Sequence, residues 1–250
     1  MNKNNLFQLE LENEAARFRK QHGFGDAEPV HLESFLIKNN VLTLYRPLSR
    51  TMAGMAIKSG DCDRFMMINS NHSVGKQNFT IAHELYHLFL QENFNSKRCI
   101  TGLFDKQKDL DEKKADYFAA NLLLPRLGVY ELIPQSEKSS IGKVSKETTF
   151  KIQQYYGVSI KAVIFRLIDL GFADKNYYDV YQDMGKLQTA RLLGYDAGLY
   201  QKGNENKVVS DYGTMASKLF QSRKISESYY FELLNSINID PFEVFAGDEE

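Results

Sequence analysis

The sequence predicts an α+β fold, a short sheet packed on helices and followed by an all-helical C-terminal region. Three observations predict it. Apolar positions recur at helical spacing before residue 40. Short apolar runs bounded by turn-forming residues crowd between 41 and 69. Beyond residue 150 the pattern is again mostly helical.

From Leu9 to about Lys20 the apolar residues fit one helix, and VHLESFLIKNN (30–40), after Pro29, gives a second that ends at the Asn39–Asn40 pair. VLTLY (41–45), AGMAIK (53–58) and RFMMIN (64–69) read as strands, the last two separated by the turn-rich SGDCD and expected to form an antiparallel hairpin. A helix then starts near Ser73 to Gln77 and runs to about Gln91. DLDEKKADYFAANLLLP (109–125) supplies another, with charges in its first turns and Pro125 at its end. The polar, Ser/Lys-rich PQSEKSSIGKVSKET (134–148) marks the expected boundary between a domain at 1–134 and a C-terminal region at 135–250. In that region KIQQYYGVSIKAVIFRLIDLGF (151–172) reads as two helices around a turn at Gly157.

The bulk numbers narrow the class. At 250 residues and 43% hydrophobic the chain has ample material for a core. Its 31 basic and 32 acidic residues give a net charge of -1. That balance argues against a surface built as a whole to hold nucleic acid. No run approaches the roughly 18 apolar residues of a membrane span, and the N-terminus lacks a signal-like stretch, so a cytoplasmic, membrane-free protein is expected. Two cysteines, Cys62 and Cys99, outside any C-x-x-C arrangement, are expected to be ordinary reduced thiols.

The chemistry concentrates in FTIAHELYHLFL (79–90), an apolar helix that carries two histidines and a glutamate. Burying these without partners costs several kcal/mol, on the order of 2–7 for each unsatisfied polar group. His83 and His87, four apart, project from one helix face and can reach a single ion. Zinc suits them, because it accepts imidazole nitrogens in a tetrahedral shell and, in catalytic sites, keeps one position for water. Glu84 flanks that face and is the candidate proton acceptor. The second helix offers Glu112 as third ligand. Asp116, one turn on, is expected to hold the far nitrogen of a ligand histidine, with Ala115 and Ala119 allowing close helix approach. The competing reading leaves Glu112 and Asp116 as solvated charges paired with Lys113 or Lys114. His22, His31 and His72 are lone histidines, expected to stand apart from the metal.

FTIAHELYH together with EKKADYFAANLLLP resembles the ImmA/IrrE family of zinc metallopeptidases, whose signature couples H-E-x-x-H to E-x-x-A-[ND]-x-F-A-A-x-L-L-x-P. The likeness is dense over residues 64 to 125 and thinner over GVSIKAVIFRL. It implies a small zincin-like catalytic domain at 1–134 and action on helix-turn-helix transcriptional repressors. Tyr86 stands where the family usually has glycine and is expected to alter packing only. No counterpart of the N-terminal DNA-binding domain of some relatives is expected.

The expectation is therefore a zinc-dependent metalloendopeptidase with a protein substrate, a DNA-binding repressor or similar regulator, and with no membrane partner. Its C-terminal helical region is given a recognition or regulatory role. The alternative is a zinc-containing regulatory protein that acts through protein or DNA contacts without proteolysis. Its motivation is the helix-turn-helix outline of YYGVSIKAVIFRL, with Gly157 at the turn and Ser159 as cap. The basic excess there is modest, Lys138, Lys143, Lys146, Lys151, Lys161 and Arg166 against Glu137, Glu147 and Asp169, so direct nucleic-acid binding is not expected.

Overall fold

A computed structural model describes residues 3–60, 63–92, 94, 96–100, 110–138, 144–182 and 185–241. Cys62 and the side chain of Cys99 lie outside the described residues, and with them the expectation about thiols.

Helices α1 (Lys3–Gln21) and α2 (Leu32–Lys38) come first, and Asn40 takes a left-handed φ of 53° to turn the chain into the sheet. Strands β1 (Val41–Arg46), β2 (Met52–Ser59) and β3 (Asp63–Asn69) match the three predicted runs within two residues. The expected hairpin is present: β2 and β3 pair antiparallel, with Met55 opposite Met67. Strand β1 pairs with β3 in parallel, Leu42 opposite Phe65. After the long helix α3 (Val74–Phe89), strand β4 (Ser96–Ile100) adds to the outer side of β2, and the distant two-residue β5 (Val208–Val209) adds to β1. The sheet order is β4-β2-β3-β1-β5.

Helix α3 lies against β2 and β3 and packs along α4 (Leu110–Leu123). Twelve of its sixteen residues are buried, the polar Gln77, Thr80, His83, Glu84 and His87 among them. Ala115 and Ala119 are fully buried on α4, and their small side chains let the two helices approach closely, as the sequence suggests. Aromatic edges fill the space beside them. Phe18 of α1 meets Phe118 at 5.4 Å and 89°, and Phe35 of α2 at 5.4 Å.

The chain continues through α5 (Arg126–Leu132), α6 (Lys146–Tyr156) and α7 (Ile160–Asp169), then α8 (Lys175–Gln182), α9 (Lys186–Leu192), α10 (Tyr212–Gln221) and α11 (Glu227–Ser236). Gly157, at φ 64°, turns α6 into α7, and the Ser159 hydroxyl accepts from the Ala162 amide as a cap. One apolar core contains Leu11, Phe35, Ile68, Leu85 and Phe118 together with Val144, Ile152, Val163 and Leu167, so side chains from both sides of residue 134 share it.

The C-terminal part of the chain also fixes the ends of α3 and α4. A Cβ built on Gly75 meets the Val158 carbonyl oxygen at 2.8 Å, so the first turn of α3 touches backbone at the α6–α7 turn. Asn78 Nδ2 donates to the Gly157 carbonyl at 2.8 Å. Gln77 donates to His72 and Gly203 carbonyls at 2.8 and 3.0 Å. At the same end of this antiparallel pair, two buried arginines donate to carbonyls at and just past the end of α4: Arg19 Nη1 to Leu122 at 2.5 Å and Arg166 Nε to Leu124 at 2.9 Å. Carbonyls at a helix C-terminus lack intrahelical partners, and cations suit that end of the dipole. The helix pair that carries the candidate site is thus held at the end remote from Glu112.

Candidate metal centre

The one-turn spacing of His83 and His87 on α3 brings both rings to the same face, toward α4. Their Nε2 atoms are 3.2 Å apart. Glu112, in the first turn of α4, brings one oxygen to 3.3 Å from His83 Nε2 and the other to 3.5 Å from His87 Nε2. All three residues are buried, at 1%, 1% and 7% exposure, and their donor atoms lie within 4.8 Å of one another. This excludes the reading of Glu112 as a solvated charge paired with a neighbouring lysine. The acidic residue that pairs with Lys114 is Asp111, at 3.7 Å.

The far nitrogen of each imidazole faces an acceptor oxygen. His83 Nδ1–H donates to Asp116 Oδ1 at 2.9 Å, the role the spacing predicts for Asp116. His87 Nδ1–H donates to Gln91 Oε1 at 2.5 Å. A neutral imidazole that donates from Nδ1 carries a bare lone pair on Nε2. Two imidazole nitrogens and a carboxylate therefore face one another in a buried cluster, a donor set able to hold a cation. Three ligand atoms at about 2.0–2.1 Å from a tetrahedral ion stand about 3.3 Å apart. The two Nε2 atoms are separated by 3.2 Å, near that edge, each carboxylate oxygen lies 3.3 or 3.5 Å from one of them, and two imidazoles with one carboxylate form a donor set that suits zinc. The residues present fit a metal ion.

Glu84 sits between the two histidines in sequence and is fully buried. A Cβ built on Gly54 of β2 lies 3.4 Å from Glu84 Oε1, 2.9 Å from Thr80 Cγ2 and 2.8 Å from the Met67 carbonyl. Only glycine lets the strand come this close to the helix and its carboxylate. An isolated glycine inside a strand pattern signals such an approach, so Gly54 was open to discovery from the sequence. Gln91 was equally open to discovery, since 83, 87 and 91 form one stripe along a helix.

The remaining histidines lie elsewhere. His22 packs among Phe18 and Phe35 with centroids at 4.4 and 4.9 Å, and burial, helped by Lys38, pulls its pKa below the usual histidine value. His72, near Lys76 and the Arg50 carbonyl, is lowered for the same first reason. His31 precedes α2 and is exposed. Tyr86 is buried against Phe118 at 5.8 Å, and burial raises the pKa of its phenol. It is a packing residue, as expected. The helix-turn-helix outline is likewise committed to packing: seven of the ten residues of α7 are buried. Among the described residues no helix is long and apolar enough to cross a membrane.

A family model described as Peptidase_M78, IrrE N-terminal-like domain, matches residues 38–168, slightly more than half of the chain. The matched span contains the whole donor cluster. No curated protein matches the chain.

Proposed function

The chain belongs to the Peptidase_M78 family, the IrrE N-terminal-like metallopeptidases, and from that premise we propose that it is a cytoplasmic zinc-dependent endopeptidase. The observation that carries this reading is the buried cluster of His83, His87 and Glu112, whose donor atoms lie within 4.8 Å of one another. These three residues would hold the metal. Once bound there, zinc supplies Lewis-acid polarisation of the scissile carbonyl and makes water a stronger acid.

The protein groups do the rest. Glu84 takes the proton of the attacking water and passes it to the leaving amine nitrogen, so the amine departs neutral. Gly54 sets how closely β2 approaches that carboxylate. Asp116 and Gln91 hold the two rings so that each Nε2 lone pair points inward. The substrate is an extended or locally unfolded segment that pairs with the outer edge of the sheet at β4, next to the strand that meets Glu84. That requirement favours flexible loops of a regulatory protein, and the family resemblance points to a helix-turn-helix repressor. The burial of α7 supports proteolysis over a DNA-reading role for the C-terminal helices.

Glu84→Gln tests the assignment. The amide cannot accept the proton, so turnover of a cleavable protein is expected to fall by about 10²–10⁴-fold while zinc stays bound. Cleavage at the wild-type rate removes Glu84 from the mechanism.

A further inference from the structure

The two imidazoles are anchored differently. His83 leans on a carboxylate, which can accept with either oxygen. His87 leans on an amide, which has two unlike ends. If the amide were turned over, its NH₂ would face Nδ1 and favour the opposite tautomer, whose protonated Nε2 cannot bind a metal. Some group must fix which way round the amide stands. Gln91 Nε2 donates to Asp111 Oδ2 at 3.0 Å, and a carboxylate can only accept. Asp111 lies in the first turn of α4, directly before Glu112, and Lys114 steadies its other oxygen at 3.7 Å.

We infer that Gln91 and Asp111 are positioning residues of the metal centre: Asp111 fixes the orientation of the Gln91 amide, and the amide fixes the tautomer of His87. The inference rests on the metal-site reading above. The relay also ties the end of α3 to the start of α4, the two helices that supply the ligands. A carboxylate that orients an amide, which in turn orients an imidazole, extends the usual outer support of a ligand histidine by one link.

Zinc affinity of the full chain, measured by chelator competition with circular dichroism as a check on folding, tests the relay. Gln91→Leu is expected to weaken zinc binding about 10- to 100-fold. Gln91→Glu combined with Asp111→Asn should bind near wild type, because a carboxylate at 91 accepts from Nδ1 in either orientation and the amide at 111 can donate to it. Asp111→Ala should weaken binding about tenfold, the low end of the loss seen for outer-shell partners. Asp111→Asn should restore it, since its side-chain oxygen still accepts from Gln91. In the Gln91→Glu background, Asp111→Ala should likewise bind near wild type, because no amide remains at 91 to be oriented and no second carboxylate faces it.

A role for Asp111 only as a helix-terminal charge or as a partner of Lys114 predicts otherwise. Asp111→Asn would then lose as much as Asp111→Ala, and the loss would persist in the Gln91→Glu background. Either result, or wild-type affinity in Gln91→Leu, overturns the relay. Failure of the wild-type chain itself to bind zinc would instead overturn the metal-site reading, so the two failures are distinct.

Discussion

Two helix pairs in this molecule bury polar groups, and they do so to opposite ends. In α6–α7, Thr149 Oγ1 donates to the Ser145 carbonyl at 2.9 Å, and Arg166, 1% exposed, donates to the Leu124 carbonyl and pairs with Asp169 at 2.5 Å. These bonds go to backbone carbonyls and a neighbouring carboxylate, and the result is packing. In α3–α4 the buried His83, His87 and Glu112 turn their lone pairs toward a common point, while hydrogen bonds are made at the far side of each ring. Burial of a polar side chain therefore does not mark a site by itself. Convergence of two imidazoles and a carboxylate within 4.8 Å of one another does.

Substitutions should separate the two pairs. Arg166→Leu strips a buried cation from Asp169 and the α4 carbonyl and is expected to cost about 3–5 kcal/mol of stability. Denaturant unfolding measures this. At temperatures where the variant stays folded, its zinc affinity should remain close to wild type. Gly54→Ala brings a methyl group to 2.8 Å from the Met67 carbonyl and 3.4 Å from Glu84 Oε1. The strand must retreat and the carboxylate move, so turnover is expected to fall about 100-fold with zinc retained. Steady-state kinetics beside metal content would show it. Ser159→Ala removes only the cap of α7 and should cost about 1 kcal/mol, with no effect on metal or turnover.

The smallest effect concerns pH. His22 is held below its ordinary pKa by burial, so the folded protein keeps it neutral while the unfolded chain takes up a proton below about 6.5. Its contribution is complete above that pH and is lost as pH falls through the lower folded value. His22→Phe should flatten the fall in stability between pH 7.5 and 5.5. An unchanged slope would assign the acid sensitivity to His72 or to other groups.

Much of this was legible in the sequence because local rules and tertiary packing agree. The runs 41–45, 53–58 and 64–69 became strands within two residues, and the paired histidines, Glu112 and Asp116 meet as their one-turn spacing suggests. The parallel pairing of β1 with β3 was not legible, because strand order depends on contacts between segments and not on the periodicity of any one of them. Strand β5 has two residues and takes its conformation from β1, so it leaves no pattern to read. Gln91 escaped notice for another reason. Glutamine is common on helix surfaces, and its meaning comes from Asp111, twenty residues away in sequence.

The central claim is that His83, His87 and Glu112 converge on one metal ion. Metal content of the purified chain by elemental analysis, side by side with Glu112→Ala, tests it most directly. The account predicts one zinc per wild-type chain and its loss from a variant that remains folded. Retention of zinc at full occupancy by Glu112→Ala, or a wild-type chain that binds no divalent metal, would contradict it.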